Sequence, residues 1–477
     1  MYTDVLIIGG GIAGLACGVG LCGNGLRVVV VEQSAALGGR ARSWVDRETG
    51  DVVDIGPHIL LSEYRNMLRL LELLGTRERI AWRTDRFITL FEKPHAVPVR
   101  MGRLPAPLHF VRSILSAPTI SIADANSNAR TTWTAMRLTE DDVQRLDGVA
   151  AADFLRGQGV TKRFRDWFWA STAMSIMNVP LERCSAGALL RFYQLLLGHN
   201  DLRMGFPAIG LSELYVPQAT RRIEADGGRI LTQSGVKRLT GADGAPVGAV
   251  LADGTRVDAR WCVSAVPPQS LGEILPPEWR GRDPAFAELS AFEPSPYVST
   301  YLWFDRKLTR EPSWARVWSP SNLNYDSYDL SNIRSGWEAR PSVIASNIIY
   351  SHRADGMSDE AIVDATRREI AEYLPEAAWS TLRHARVHRI PMAIPCPFPG
   401  TERKRPPTRT ALPGLLLAGD WTRTGFPACM ESAVRSGWLA AEQILAEAGR
   451  PRRLALGLDA REGITGLVQR LRRATGT

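Results

Sequence analysis

The opening residues alternate apolar runs with small residues in the order strand, turn, helix, strand. An apolar run at residues 4–8 is short enough for a buried parallel strand, and the small residues of 13–22 favour a closely packed helix. A second apolar run, RVVVVE, ends at Glu32. This pattern predicts a βαβ unit at the start of the chain.

Comparable apolar runs recur later. VDARWCVSAVPP, which ends at Pro268, predicts a strand that returns to the first sheet, and PYVSTYLWFDRKL predicts the first strand of a second sheet. Residues 415–417 predict another buried strand, and an Ala-rich amphipathic helix follows from about Ala428 to Leu445. Strands and helices thus alternate at both ends of the chain, which predicts an α/β fold.

The turn after the first strand carries the spacing GxGxxG at Gly9, Gly11 and Gly14. The first glycine permits a tight turn, the second lets the backbone approach a diphosphate, and the third lets helix and strand pack closely. The helix N-terminus presents N–H groups to that anion. Glu32, eighteen residues after Gly14, is placed to accept hydrogen bonds from a ribose. The pattern predicts dinucleotide binding and leaves NAD and FAD open.

Two further segments favour FAD. Directly after the Glu32 strand, LGGRARS places Gly38, Gly39 and Arg40 near the same diphosphate, although a plain turn with a solvated arginine has the same pattern. In AGDWTRTG, Asp420 follows a strand end and precedes a helix, so it can bind a polyol while the helix faces an anionic ring edge. FAD has both a ribityl chain and such a ring, and NAD has neither.

Taken together, these segments resemble the amine oxidase and carotenoid desaturase superfamily of FAD flavoproteins. The resemblance implies a Rossmann-type FAD/NAD(P)-binding domain of the GR2-like flavoprotein class, with an interleaved α+β substrate domain. It implies that Glu32 binds the adenosine ribose, Arg40 the diphosphate and Asp420 the ribityl chain. It also places Val236 against adenine and the Met430 N–H against the flavin pyrimidine edge. The cofactor-binding residues implied are Gly9, Gly11, Ile12, Ala13, Gly14, Glu32, Gln33, Gly38, Gly39, Arg40, Ala41, Gly56, Pro57, His58, Val236, Gly419, Asp420 and Met430.

The middle of the chain narrows the resemblance. Residues 168–198 are similar to plant-type phytoene and zeta-carotene desaturases and to bacterial hydroxysqualene dehydroxylases, and GDWTRTGFPACMESAVRSG is closest to the dehydroxylase pattern. The chain departs from that group at DIGPH, where NGQH is usual. The function implied is FAD-dependent hydride transfer between the flavin and an allylic carbon of a long apolar isoprenoid, in either hydroxysqualene dehydroxylation or carotene-precursor desaturation. The alternative is an FAD-dependent amine or amino-acid oxidase.

The resemblance also implies a discontinuous arrangement of domains. We expect the FAD domain at 1–85, 205–280 and 385–448, the substrate domain at 86–204 and 281–384, and a basic tail at 449–477. His58 is the first candidate for a residue beside the flavin. Its use as a general acid and a purely structural or flavin-contacting role both remain open.

Composition constrains the cellular setting. The 477 residues are 45% apolar and 23% charged, which is typical of globular proteins. Six cysteines and seven histidines are scattered without metal-ligand spacing, so we expect no disulfide framework, no metal site and a reducing, cytoplasmic setting. We predict neither a signal peptide nor a transmembrane span. Because GxGxxG does not recur, NAD(P)H has no dedicated domain, and we expect a quinone, oxygen or a separate reductase to exchange electrons.

Charge and apolar clusters suggest possible partners. Much of the net charge of +8 lies in the tail, where seven arginines stand against Asp459 and Glu462. An amphipathic basic helix there would suit the inner membrane face, and a solvated terminal helix is the alternative. Residues 101–123 are apolar and proline-rich, so they either dip into a membrane or pack in the core. The same choice, tunnel wall or core, applies to Trp167, Phe168, Trp169, Phe192 and Tyr193. Nucleic acid is not expected, since no binding motif accompanies the basic residues.

Overall fold

A computed structural model gives the fold and describes residues 1–241 and 247–475, with side chains up to residue 472. The strands in these residues, in chain order, are β1 (Tyr2–Ile8), β2 (Val28–Val31), β3 (Ser43–Val45), β4 (Val52–Asp54), β5 (Leu60–Leu61), β6 (Ile80–Trp82), β7 (Ile88–Glu92), β8 (His95–Val99), β9 (Met204–Pro207), β10 (Arg229–Leu231), β11 (Val236–Thr240), β12 (Val247–Leu251), β13 (Arg256–Ser264), β14 (Pro294–Phe304), β15 (Ser313–Arg316), β16 (Asp326–Asp329), β17 (Val343–Ile349), β18 (Leu382–Pro395) and β19 (Leu415–Leu417). The α-helices are α1 (Ile12–Leu21), α2 (Arg65–Leu73), α3 (Val111–Leu115), α4 (Ile122–Ser127), α5 (Ala129–Arg137), α6 (Glu140–Leu146), α7 (Ala151–Gly157), α8 (Lys162–Phe164), α9 (Ala186–Leu196), α10 (Val216–Ala225), α11 (Pro268–Ile274), α12 (Pro284–Ala287), α13 (Asp359–Tyr373), α14 (Thr401–Lys404), α15 (Met430–Glu447) and α16 (Gly463–Thr475).

The first sheet gathers strands from both ends of the chain. Its order is β10-β2-β1-β13-β12-β11, and β19 pairs with β13. The strands β10, β2, β1, β13 and β19 are parallel to one another, while the pairs β13–β12 and β12–β11 are antiparallel. The predicted βαβ unit and the late strand at 415–417 are therefore parts of one α/β sheet.

Helix α1 is rich in small residues because other elements approach it closely. A Cβ on Gly14 would lie 2.0 Å from the Gly9 carbonyl oxygen, and one on Gly18 would lie 2.6 Å from the Ile223 side chain of α10. On α15, a Cβ on Gly437 would lie 2.2 Å from the Ala13 carbonyl oxygen. These glycines let α1, α10 and α15 pack into one apolar layer on the sheet.

The second sheet forms most of the remaining framework. Its order is β18-β14-β17-β16-β15-β7-β8, and its pairs are antiparallel except for β15 with β7. The strand predicted from PYVSTYLWFDRKL is β14, but β7 and β8 precede it, so the expectation that it comes first was wrong. A smaller sheet joins β5, β9 and β6.

The boundary expected at residue 385 also needs correction. It falls inside β18, which pairs with β14 from Leu382 to Pro395. The second sheet therefore continues to Pro395, and the chain returns to the first sheet only after it. Of the other expected divisions, the one at 205 falls inside β9 of the smaller sheet, and those at 85 and 280 fall between strands.

The tail is folded against the protein. Ile464 and Val468 of α16 pack on the apolar cluster that contains helices α5 and α9, and the Ile464 N–H donates to the Ala106 carbonyl. Leu467 and Leu471 remain exposed. Among the described residues, no helix is both long enough and apolar enough to cross a membrane.

Candidate active site

A continuous cavity of about 1530 Å³ is lined by residues of both seven-stranded sheets and of the helices between them. This volume exceeds the roughly 300–1,000 Å³ of an ordinary ligand pocket. Every cofactor-binding residue implied by the resemblance lines the cavity, with the exception of Gly14. Gly14 instead lies at the contact of α1 with the β1 turn, which is the packing role expected of the third glycine.

The glycine turn leaves backbone open at one end of the cavity. Gly9 has a φ of +106°, a conformation that only glycine adopts without strain. A Cβ on Gly11 would meet nothing closer than the Gly39 Cα at 4.0 Å, so the space before it is free. Gly11 also caps α1 without a side-chain hydrogen bond. The turn therefore fits a diphosphate that approaches the backbone and the first N–H groups of α1.

Glu32 is held firmly at the end of β2. Its Oε2 accepts from the Gly10 N–H at 2.9 Å, and its Oε1 accepts from the Ser34 N–H and hydroxyl at 2.9 and 2.8 Å. A carboxylate offers about four acceptor positions, so these three bonds leave room for one more donor. Glu32 thus fits a ribose hydroxyl.

Arg40 and Asp420 meet across the cavity wall. The Arg40 Nη2 donates to Asp420 Oδ1 at 2.7 Å, and Nη1 donates to Oδ2 at 3.1 Å. Nη1 also donates to the Ala393 carbonyl of β18 at 3.0 Å. Sequence reasoning assigned the two side chains to separate parts of FAD and did not foresee that they form one bidentate pair.

The remaining cofactor residues approach the cavity from three elements. Val236 stands at the start of β11, and Met430 begins α15, whose first N–H groups have no intrahelical acceptor. Gly419 has a φ of +133°, and its N–H donates to the Ser436 hydroxyl at 2.7 Å. The turn after β19 is thereby fastened to α15.

His58 lies in the same wall, where its Nδ1 is 2.8 Å from the Gly56 carbonyl oxygen. A carbonyl only accepts, so Nδ1 carries the proton and Nε2 is left as an acceptor. Burial lowers the pKa of His58, and the nearby Arg40 charge lowers it further. The ring is therefore neutral at neutral pH, which favours the structural or flavin-contacting role over that of a cationic acid.

The other end of the cavity is apolar. Trp167, Phe168, Phe192 and Tyr193 line it, in accord with the tunnel interpretation. Trp169 is fully buried and does not line the cavity, so for this residue the core interpretation holds. Trp167 and Phe168 lie in a π-helical turn, Arg165–Ala170, a conformation that often marks functional sites.

Residues 101–123 border the cavity rather than the core alone. Pro107, Phe110 and Ile114 line it and are buried or half-buried. Other apolar side chains that line the cavity are 37% to 78% exposed to solvent. We call this set the mouth patch, and its members are Leu108, Val111, Leu115, Ile122 and Trp133. Apolar residues this exposed and this close together are typical of an interaction surface.

One polar group on the cavity wall was missed by sequence reasoning. Asp326 of β16 lines the cavity together with Tyr297, Tyr325 and Tyr328. Burial raises the pKa of Asp326 to about 6. The sequence signal that could have found it is the polar run NYDSYD at residues 324–329, which no prediction used.

Known proteins share this chain's family and fold. Residues 12–445 match the flavin containing amine oxidoreductases. The 15-cis-phytoene desaturase of Synechococcus elongatus is 29% identical over 95% of this chain and 98% of its own length. The corresponding enzyme of Solanum lycopersicum is 28% identical over 93% and 77%, and the zeta-carotene desaturase of Synechocystis is 24% identical over 94% and 98%.

Solved structures agree on the fold. Putrescine oxidase bound to putrescine superposes with a TM-score of 0.71 at 18% identity, over 94% of this chain and 99% of its own. Cyclohexylamine oxidase from Brevibacterium oxydans gives 0.68 at 18% identity, over 94% and 100%. At this identity the likeness concerns the fold alone. The glycine turn, Glu32 and Asp420 all line one cavity, and the family match covers most of the chain. We conclude that this chain belongs to the flavin containing amine oxidoreductases, is a flavin-dependent oxidoreductase, and has FAD as its cofactor.

Proposed function

We propose that the protein is a desaturase of a long apolar isoprenoid of the carotene-precursor class. The observation that carries this proposal is the single cavity, which runs from the glycine turn and Asp420 to aromatic walls and the exposed mouth patch. A long hydrocarbon chain needs such a continuous apolar channel, because burying its surface supplies most of its binding free energy. The carotene-precursor desaturases named above are similar over nearly the whole chain, which supports the same class of substrate here.

In this proposal the chain's own residues bind and orient FAD. Gly9, Gly11 and the N-terminus of α1 hold the diphosphate, and Glu32 holds the adenosine ribose. The Arg40–Asp420 pair would hold the diphosphate and the ribityl chain, and the N–H of Met430 would bind the ring edge. Bound FAD supplies the ability to accept a hydride from an allylic carbon. The aromatic walls hold that carbon close to the ring and exclude water.

The electrons must then leave the protein. The sequence holds one GxGxxG, at the FAD site, so we propose that a quinone, oxygen or a separate reductase exchanges electrons with the flavin. We further propose that the mouth patch contacts the inner face of the cytoplasmic membrane, where both an isoprenoid and a quinone reside. Arg103, Arg112 and Arg130 lie exposed in the same stretch of chain and suit anionic headgroups.

The test uses the purified yellow protein and liposomes that contain a carotene precursor such as phytoene. Anaerobic mixing is expected to bleach the oxidised-flavin absorbance, and addition of a quinone is expected to restore it and to give a product with a longer conjugated polyene. Flavin that stays oxidised with every isoprenoid tested would refute the proposal. A colourless protein that FAD cannot reconstitute would refute the cofactor assignment as well.

A second candidate function is oxidation of an amine. It requires a charged or aromatic-lined amine pocket, and Asp326 beside Tyr297 and Tyr325 has those features at one point of the cavity. The remaining walls are largely apolar, which favours the isoprenoid. The same anaerobic flavin assay with a panel of amines distinguishes the two, since only the true substrate class bleaches the flavin.

A further inference from the structure

Asp326 lies on the cavity face of the second sheet. Cross-strand pairing places Ser299, Asn347, Asp326, Ala315 and Leu90 in one row across β14, β17, β16, β15 and β7. Paired residues point to the same face of a sheet, and Leu90 and Asp326 both line the cavity. Asp326 therefore lies on the face of the sheet that lines the cavity, where a substrate would contact it.

One end of this row touches the proposed FAD site. A Cβ placed on Gly56 would lie 3.6 Å from the Ser299 side chain. The Ser299 hydroxyl donates to Asn347 Oδ1 at 2.9 Å, and Asn347 Nδ2 donates to Asp326 Oδ1 at 2.8 Å. Two hydrogen bonds thus connect Asp326 with Ser299, which packs beside Gly56.

The carboxylate keeps acceptor capacity for a further partner. Its Oδ2 accepts from the Tyr328 hydroxyl at 2.7 Å, and its Oδ1 accepts from Asn347. These two bonds use about half of the acceptor positions of a carboxylate. Asp326 is half-buried, and it lines the cavity. No basic side chain forms an ion pair with it among the residues that the structure describes.

Such a carboxylate opposes folding when it is ionised. Burial raises the pKa of Asp326 from 3.8 to about 6, although the bonds from Tyr328 and Asn347 lower it. The titratable groups that face it are the phenols of Tyr297, Tyr325 and Tyr328, whose own pKa values burial raises. These phenols are neutral near pH 7, so Asp326 alone changes charge in that range. A group that lowers stability at a cavity wall suggests a functional use.

We propose that Asp326 is the proton acceptor of the reaction, and this assignment rests on the proposed desaturation. One C–H bond of the substrate gives its hydride to FAD, and a C–H bond on the neighbouring carbon gives its proton to the Asp326 carboxylate. The two electrons of the second bond become the new C=C bond, so the substrate loses two electrons and two hydrogens. The carboxylate ends as the neutral acid.

The other candidates on the wall suit this step less well. His58 is fixed by Gly56 as described above and belongs to the proposed cofactor wall. Glu63 lies 3.3 Å from the His199 ring, on the side of the cavity next to the tail residue Arg461. Of these three residues, Asp326 combines an open carboxylate with a place on the sheet row that begins at Ser299, beside Gly56.

The first test compares the wild type with Asp326→Asn, which preserves side-chain size. We expect the variant to keep FAD and its absorbance but to lose about 100-fold or more in turnover of the isoprenoid, the usual contribution of a general base. In the wild type, kcat/KM is expected to fall as the pH drops below about 6, and in the variant this acidic limb of the pH profile is expected to be absent. Asp359→Asn, at the exposed partner of Arg389, is the matched control and is expected to behave like the wild type.

Two further measurements exclude a merely structural role. Tyr328→Phe removes a donor to the carboxylate, so it should move the acidic limb to higher pH. Asp326→Asn should raise the Tm at about pH 8, where the ionised aspartate opposes folding. This gain should shrink as the pH falls below about 6 and should vanish only below about pH 4, where the aspartate is protonated in the unfolded chain as well. If Asp326 were only structural, Asp326→Asn would instead lower the Tm, and Tyr328→Phe would leave the acidic limb of the kcat/KM profile at the wild-type pH.

The outcomes separate this assignment from the proposed function. If the wild type bleaches with the isoprenoid and Asp326→Asn is as active, the assignment is refuted while the desaturation stands. If Asp326→Asn abolishes activity towards amines and the wild type is inactive on every isoprenoid, Asp326 is an ammonium partner. Both the proposed function and the assignment then fail.

Discussion

Arg40 and Asp420 are 380 residues apart in the chain and form a bidentate ion pair in the cavity wall, with N–O distances of 2.7 and 3.1 Å. The Asp420 side chain is 6% exposed and that of Arg40 is 31% exposed, so the pair is partly shielded from water. It joins the turn after β2 to the turn after β19. In the proposed cofactor site, the FAD contacts on either side of the pair would be coupled through it.

We predict that Asp420→Ala weakens FAD retention by roughly 10- to 100-fold. The change removes a charge-assisted hydrogen-bonding group of about 1.5–3 kcal/mol and leaves Arg40 unpaired. Arg40→Lys should weaken retention as well, because lysine keeps the charge but not the planar fork. The flavin that remains after gel filtration measures the effect. Arg389→Ala, which breaks an exposed ion pair, is the control, and equal losses in the control would contradict the prediction.

Gly14→Ala is predicted to impair both folding and cofactor binding. Its Cβ would lie 2.0 Å from the Gly9 carbonyl oxygen, so α1 must move away from β1, at a cost of at least about 1–3 kcal/mol. Gly157→Ala at the end of α7 is the matched control, since a Cβ there meets nothing within 4 Å. Thermal unfolding and flavin content should both fall in the first variant only. An unchanged Tm for Gly14→Ala would show that the turn relaxes at no cost.

The mouth patch is predicted to bind membranes. Leu108→Ser together with Ile122→Ser removes two side chains that are 41% and 78% exposed, and each contributes up to about 1.5–3 kcal/mol when it is buried in lipid. Cosedimentation with anionic vesicles should fall by at least about tenfold. Trp379→Ser is the control, because Trp379 is 65% exposed and does not line the cavity. An equal loss of vesicle binding in the double variant and in Trp379→Ser would contradict the prediction, because any exposed apolar side chain would then contribute equally.

His109 is predicted to contribute to acid unfolding. It is 1% exposed, and burial lowers the pKa of its ring to about 4. The unfolded chain, with a pKa of about 6.5 for histidine, takes up a proton first as the pH falls. Stability is therefore intact above about pH 6.5 and declines towards pH 4. His109→Leu should reduce the Tm difference between these two pH values, as measured by circular dichroism, and an unchanged difference would refute the role of His109.

Local spacing determined a large part of the cofactor end. Gly9, Gly11, Glu32 and the strand before Asp420 could be predicted because the glycine turn and strand ends depend on neighbouring residues. The family resemblance followed from the same segments. In the structure these residues line the cavity, except for Gly14, which packs α1 on β1.

Long-range pairing decided the rest. The Arg40–Asp420 contact depends on how two distant turns meet, and the hydrogen bonds from Ser299 through Asn347 to Asp326 depend on the register of β14, β17 and β16. A periodic pattern gives the face of a residue but not its partner on another strand, so neither could be predicted. The same limit explains the misplaced boundary at 385, since only the pairing of β18 with β14 shows which sheet that segment joins. The sequence thus specified the cofactor turn and the family, whereas tertiary packing decided the shape of the cavity and which polar groups meet in it.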